Sequence, residues 1–212
     1  MNLPNLTVKA FLDELASASP APGGCSTAAL AGALASALCG MVARLTLGRE
    51  KLRDRWPVME EVAAEADRVR GRFLGLIDED AEAYLSVVAA RKLPRGTDDE
   101  RAARERAVVV AVLRSARAPL ETLLLAGETA LLAARALEQG NPSCATDAGS
   151  AALAARLAAE AAAYNVRINL PDIADPAERA RLAHETDAAL TAVRIGTDRT
   201  SGVVESCLVP GA

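Results

Sequence analysis

The chain has 212 residues, of which 48 are alanine; 51% are hydrophobic and only 2% aromatic. That length fits one domain of generous size or two small ones, with a substantial core; the hydrophobic fraction excludes intrinsic disorder, and the alanine excess speaks against a mostly-β class. Lys and Arg number 24 against 28 Asp and Glu, a net charge of −4 that argues against a nucleic-acid partner, because duplex binding needs a clustered basic face.

Along the chain, a first short helix is expected from about Thr7 to Ser17, with Thr7 as N-cap and Val8, Phe11, Leu12 and Leu15 as its buried face. Pro20-Ala21-Pro22-Gly23-Gly24 is a tight non-helical link. A helix from about Ser26 to Thr46 follows, closed by Gly48. No residue from Leu15 to Ala43 is charged, a span long enough for a bilayer. The prolines and glycines leave only about twenty residues for one helix, however, and these are Ala, Gly and Ser rather than Leu, Ile and Phe. The segment reads as a helix buried on all sides in a soluble protein, and no membrane partner is expected.

A long amphipathic helix is expected from about Arg53 to Ala90, carrying Val58, Val62, Ala66, Val69, Phe73, Leu76 and Ile77 on its apolar face. Thr97-Asp98-Asp99-Glu100 has the form of a capping box and opens a helix to about Glu138, with Pro119 predicting a kink or a split. An alanine-rich helix runs from about Thr146 to Tyr164. Asp175-Pro176-Ala177-Glu178 caps a last helix that is expected to end before Gly196. No strand-like alternation appears. The expected fold is therefore one all-α domain over residues 1–212, an antiparallel bundle of long helices. Within it Ala28, Gly32, Ser36 and Gly40 stand four apart on one stripe, which favours close packing inside the chain over a contact between subunits.

Two Gly/Pro breaks lead straight into apolar helices, at Pro22-Gly23-Gly24-Cys25 and at Asn141-Pro142-Ser143-Cys144. A helix start carries unpaired N–H groups and partial positive charge, suited to an anion or a polarised carbonyl; a simple loop, cap and helix is the plainer reading. Asp147 at the head of the second helix is either a capping carboxylate or a partly buried acid. Asp80 falls beside Phe73, Ile77 and Tyr84 at helical spacing, nearer the core face than Glu79 or Glu82, so it needs a structural partner or serves a site. His184, the only histidine, reads as a solvated surface residue. The four cysteines, Cys25, Cys39, Cys144 and Cys207, have neither zinc nor C-x-x-C spacing. Cys25 and Cys144 stand near helix starts, where a thiol pKa drops, but no histidine is near in sequence to complete a dyad. There is no convincing metal-ligand set. With no signal-peptide pattern at the start, a cytoplasmic setting with reduced thiols is expected.

Phe11-Leu12-Asp13-Glu14-Leu15-Ala16, Pro22-Gly23-Gly24, Ala28 to Leu34, Met41 to Gly48, Ile77 to Tyr84 and Tyr164 to Leu170 together resemble, in order and over roughly residues 5 to 195, the formiminotransferase-cyclodeaminase C-terminal family. That family contains formiminotetrahydrofolate cyclodeaminase and methenyltetrahydrofolate cyclohydrolase. The resemblance implies an all-helical homodimer that binds a reduced folate and needs no cofactor beyond that substrate. It implies that Gly23, Gly24 and Ser26 shape the site floor. Asp80 and Asp147 become its acid/base residues, with Lys51, Asn165 and Asn169 as polar contacts. The expected activity is hydrolysis of methenyltetrahydrofolate to 10-formyltetrahydrofolate. The alternatives are formiminotetrahydrofolate cyclodeaminase (an ammonia lyase) or a helical dimer of altered activity serving as a folate-binding or scaffold module. Two departures favour the last of these: Cys25 where the family shows a third glycine, and Arg44 where it favours a small polar residue.

Overall fold

In a computed structural model that describes residues 2–208, every regular element among the described residues is helical. The helices are α1 (Val8–Leu15), α2 (Gly24–Leu47), α3 (Trp56–Arg91), α4 (Asp98–Gln139), α5 (Ala145–Asn169) and α6 (Pro176–Leu208), with short 3-10 turns at Leu3–Asn5, Glu50–Arg55, Pro142–Cys144 and Leu170–Asp172. Local chemistry explains the starts. Thr7 Oγ1 accepts from the Ala10 N–H at 3.1 Å. Thr97 Oγ1 accepts from the Glu100 N–H at 3.2 Å while Glu100 Oε2 accepts from the Thr97 N–H at 3.0 Å, the reciprocal capping box expected there. Asp175 Oδ1 accepts from the Ala177 N–H at 2.9 Å at the head of α6.

Two expectations are corrected. Of the kink or split expected at Pro119 the split is excluded, because α4 runs through that residue as one helix. α6 does not end before Gly196 but continues to Leu208, because Val193, Thr197, Thr200 and Val204 keep a buried face at helical spacing on both sides of that glycine. The methyls of Val204 rest where a side chain on Gly149 of α5 would begin, so α5 draws the last turns of α6 onto itself.

α2 packs on α3 and α5, α4 packs on the same two helices, and α6 lies across α4 and α5. The small-residue stripe of α2 is consumed inside the chain, as expected. A Cβ on Gly32 would stand 2.3 Å from Phe73 Cζ, so the buried Phe73 ring of α3 occupies the space a side chain would need. Ser36 Oγ donates to the Gly32 carbonyl at 2.9 Å and lies 3.3 Å from Thr129 Oγ1 of α4. By length and composition alone α2 is apolar enough to cross a bilayer, but 61% of its most apolar window is buried against these neighbours.

Short connections make successive helices antiparallel, and the bundle has two ends. One end collects the start of α2, the C-terminal third of α3 and the end of α5. The other collects the end of α2, the Glu50–Arg55 turn and the start of α5, tied together where the Asn141 N–H donates to Thr46 Oγ1 at 2.8 Å and Arg55 donates to the Gly140 carbonyl at 3.0 Å.

Candidate functional site

At the first end the link before α2, with its cis Ala21–Pro22 bond, opens a cleft of about 320 Å³. Its floor is Gly23, Gly24 and Cys25 at the head of α2; Asp80 and Tyr84 come from α3, Ser115 from α4, and Asn165, Ile168 and Asn169 from α5. The volume lies at the small end of the range for small-molecule sites. Gly24 is required by close approach: a Cβ there would lie 3.3 Å from Asn165 Nδ2, so glycine lets the α2 backbone reach α5. The first turn of α2 carries no acidic residue, leaving its partial positive charge and free N–H groups facing the cleft.

The asparagines are fixed by hydrogen bonds. Asn165 Nδ2 donates to the Ala161 carbonyl at 2.7 Å. Asn169 Nδ2 donates to the Asn165 carbonyl at 2.8 Å and to the Ser115 carbonyl at 3.3 Å, while its Oδ1 accepts from Ser115 Oγ at 3.3 Å. Asp80 is half-buried. Burial holds its carboxyl above the usual carboxylate range, and a hydrogen bond from the Cys25 thiol partly offsets that rise. The thiol itself is pushed far up, first by burial and then by the charge of Asp80. The helix start therefore does not lower the pKa of Cys25, contrary to expectation; burial and the neighbouring carboxylate outweigh the dipole. Glu79 and Glu82 point elsewhere, to Arg72 and Arg114, so of the acidic cluster Asp80 is the member that enters the cleft.

Of the expected site residues, Gly23, Gly24, Asp80, Asn165 and Asn169 share this cleft. Ser26 does not line it: the side chain is fully buried in the bundle and its Oγ has no partner. Lys51 and Asp147 are not brought to Asp80 within the chain. Lys51 sits on the turn after α2 and lines a separate hollow with Asn141 and Ser143. Asp147 is in the first turn of α5, about 27 Å along the helix from Asn165 at 1.5 Å per residue. Within one chain Asp147 complements the positive end of α5 from its first turn, without a capping hydrogen bond. Arg44 ion-pairs with Asp67 of α3, outside the cleft. His184 is exposed, as expected.

Sequence reasoning missed Tyr84, Val87, Arg91, Ser115 and Ile168, all of which line the cleft. The α3 members were findable, because Asp80, Tyr84, Val87 and Arg91 recur at four-, three- and four-residue steps on one helix stripe. Ser115 carries no such signal; it is recruited from α4 by the bundle.

The comparisons agree with this architecture. Residues 7–188 match the formiminotransferase-cyclodeaminase family. The chain is 34% identical over 202 residues to a methenyltetrahydrofolate cyclohydrolase of Methylorubrum extorquens, covering 95% of this chain and 97% of that one. It is 28% identical to a formimidoyltransferase-cyclodeaminase of Rattus norvegicus, of which it spans 38%. The crystal structure of a formiminotetrahydrofolate cyclodeaminase from Thermotoga maritima superposes with a TM-score of 0.87 at 26% identity, covering 97% of this chain and 98% of that one.

Proposed function

The chain belongs to the formiminotransferase-cyclodeaminase family, a family of enzymes, and we propose that it hydrolyses 5,10-methenyltetrahydrofolate to 10-formyltetrahydrofolate in the cleft at the head of α2. The observation that carries the reading is Asp80, a half-buried carboxyl in a cleft where two asparagine amides, Asn165 and Asn169, are held fixed by hydrogen bonds. The substrate's methenyl carbon is cationic and lies between two nitrogens. An ionised Asp80 stabilises that cation and takes a proton from the attacking water. The C–O bond forms, the bond from that carbon to N5 breaks, and Asp80 returns its proton to N5. The second water proton leaves to solvent as the formyl C=O forms. The N–H groups at the α2 start suit the oxygen as it gains charge.

A second reading, cyclodeamination of a formimino folate with loss of ammonia, is favoured by the likeness to the Thermotoga maritima enzyme over nearly the whole of both chains. It uses the same carboxylate to move protons between the two nitrogens and needs no additional cofactor.

The acting unit is a homodimer of one-domain chains in a cytoplasmic setting. α2 and α5 pack side by side, and each turns an uncharged apolar stripe outward: Leu34, Met41 and Leu45 on α2, Leu153, Leu157, Tyr164 and Ile168 on α5. Exposed apolar surface of this continuity marks an interface. A two-fold pairing with these helices antiparallel across it returns Lys51 and Asp147 of the second copy toward the Asp80 end of the first.

The test is a spectrophotometric assay of methenyltetrahydrofolate hydrolysis beside the formimino substrate, with wild type and Asp80→Asn. The substitution is expected to lower turnover by about 10²- to 10⁴-fold. Wild-type turnover in Asp80→Asn, or no activity of the wild type on either folate, overturns the assignment.

A further inference from the structure

Aromatic rings are scarce in this chain: two Phe, two Tyr and one Trp. Phe11 and Phe73 are buried, and Arg53 lies over the ring of Trp56 at 5.7 Å from its centroid. Tyr84 and Tyr164 are left exposed, and of all these rings only that of Tyr84 lines the cleft. It stands on α3 one turn beyond Asp80, so carboxylate and ring are neighbours on one helix stripe, about 5–6 Å apart at Cβ. Val87 and Val112 add an apolar wall beside the ring. Arg91, the one cationic residue that lines the cleft, lies two turns further along the stripe and is held by Asp172. Among the described residues no cation of the chain lies over the Tyr84 ring. The cleft therefore presents a carboxylate and a bare aromatic face side by side, the two groups that together hold a delocalised cation.

We propose that Tyr84 is a specificity-determining residue whose ring face, with the Asp80 carboxylate one turn before it, selects folates that carry a cationic one-carbon group over neutral ones. The inference rests on the cleft being a folate site. The methenyl carbon and its two nitrogens form a flat amidinium, and a protonated formimino group is an amidinium too, so both reactions considered above begin from the same kind of cation. An aromatic face attracts such a cation within about 6 Å of the ring centroid, more strongly where water is excluded. The positive end of α2 at the cleft floor disfavours the cation there, which leaves the Asp80–Tyr84 stripe as its place. In 10-formyltetrahydrofolate the charge is gone. The ring then holds the product less tightly than the substrate, which favours release.

Two dissociation constants test the proposal in wild type, Tyr84→Phe and Tyr84→Leu. That of 5,10-methenyltetrahydrofolate comes from single turnovers at increasing enzyme concentration, and that of neutral 5-formyltetrahydrofolate from calorimetry. Tyr84→Leu keeps an apolar side chain but removes the ring face. It is expected to weaken binding of the methenyl form about fivefold and of the 5-formyl form less than about twofold. Tyr84→Phe keeps the face and is expected to hold the wild-type preference within about twofold. Unchanged binding or equal weakening of both folates in Tyr84→Leu overturns the role of the ring while the folate reading stands. So does a preference lost in Tyr84→Phe as fully as in Tyr84→Leu. A wild type that binds neither folate overturns the functional reading and this inference with it.

Discussion

The side-chain amide of Asn169 donates to the carbonyl oxygen of Ser115, at the point in α4 where Pro119 has removed the helical donor. A proline has no N–H, so the carbonyl four residues before it loses its partner and the helix usually bends or breaks there. Here a cleft residue of α5 takes the missing donor's place, which couples the continuity of α4 to the position of Asn169. Asn169→Ala is expected to cost about 1–3 kcal/mol by leaving that carbonyl unsatisfied. Pro119→Ala restores the N–H within the helix, so the cost of Asn169→Ala falls in the Pro119→Ala background. Urea unfolding of the four proteins in a double-mutant cycle reads this coupling, and strictly additive costs would remove the explanation.

What was legible in the sequence was what local chemistry decides. The capping box at Thr97 and Glu100, the cap at Thr7 and the entry of Asp80 on the side of Phe73 and Ile77 each depend on residues within two turns. Beside Pro119 the Ser115 carbonyl takes its donor from an amide more than fifty positions away, and the last turns of α6 seat Val204 against Gly149. The first contact leaves no trace in local periodicity, whereas the helical spacing of Val193, Thr197, Thr200 and Val204 does mark the buried face that Val204 extends. The cleft was half legible for the same reason. Gly24, Asp80, Asn165 and Asn169 converge at one end of the bundle, whereas Lys51 and Asp147 fall at the other, and only the antiparallel course of α2 and α5 reveals the separation.

The raised carboxyl of Asp80 gives both catalysis and stability a pH signature. As a base, Asp80 acts when ionised, so activity falls as pH drops through a value above the ordinary carboxylate pKa of about 4. Cys25→Val removes the thiol donor while keeping water out, which raises the Asp80 pKa further and moves the acid limb of the profile to higher pH. Cys25→Ser keeps a donor and leaves the limb close to the wild type. Stability runs the opposite way. The folded pKa lies above the unfolded one, so the native state binds more protons between the two and wild-type stability falls as pH rises through that window. Asp80→Asn is exempt, and its Tm is expected to gain on the wild type from acid to neutral pH while turnover is lost. A Tm difference that does not change with pH contradicts the buried-carboxyl account.

Two glycines separate packing from propensity. Gly32→Ala gains helix propensity of about 1 kcal/mol but drives a methyl into the Phe73 ring, which is fully buried and has nowhere to turn. Overpacking of that kind costs about 1–3 kcal/mol or more, so the net effect is a lower Tm, at about 2–4 °C per kcal/mol for a chain of this size. Gly71, exposed in the same helix as Phe73, has open space where its Cβ would be, and Gly71→Ala is expected to raise Tm by a few degrees. Calorimetry of the two variants that shows the same sign for both excludes the close α2–α3 contact as the reason for Gly32.

The apolar stripes of α2 and α5 link assembly to chemistry. Leu157, 55% exposed in one chain, sits mid-helix between Leu153 and Tyr164. A carboxylate there is harmless to a lone chain but is buried without a partner in a dimer. Leu157→Glu is expected to sediment as a folded monomer with unchanged helical content. If Asp147 completes the cleft from a second copy, that monomer is inactive, and so is Asp147→Asn in the dimer. The decisive measurement mixes Asp80→Asn and Asp147→Asn subunits under exchange. Each protein alone has both of its sites damaged, but the mixed dimer concentrates both substitutions in one site and leaves the other whole. Random pairing then returns about a quarter of wild-type activity, from half the dimers with one good site each. No recovery on mixing, with exchange verified by mass, confines the chemistry to one chain and leaves Asp147 only to complement the positive end of α5.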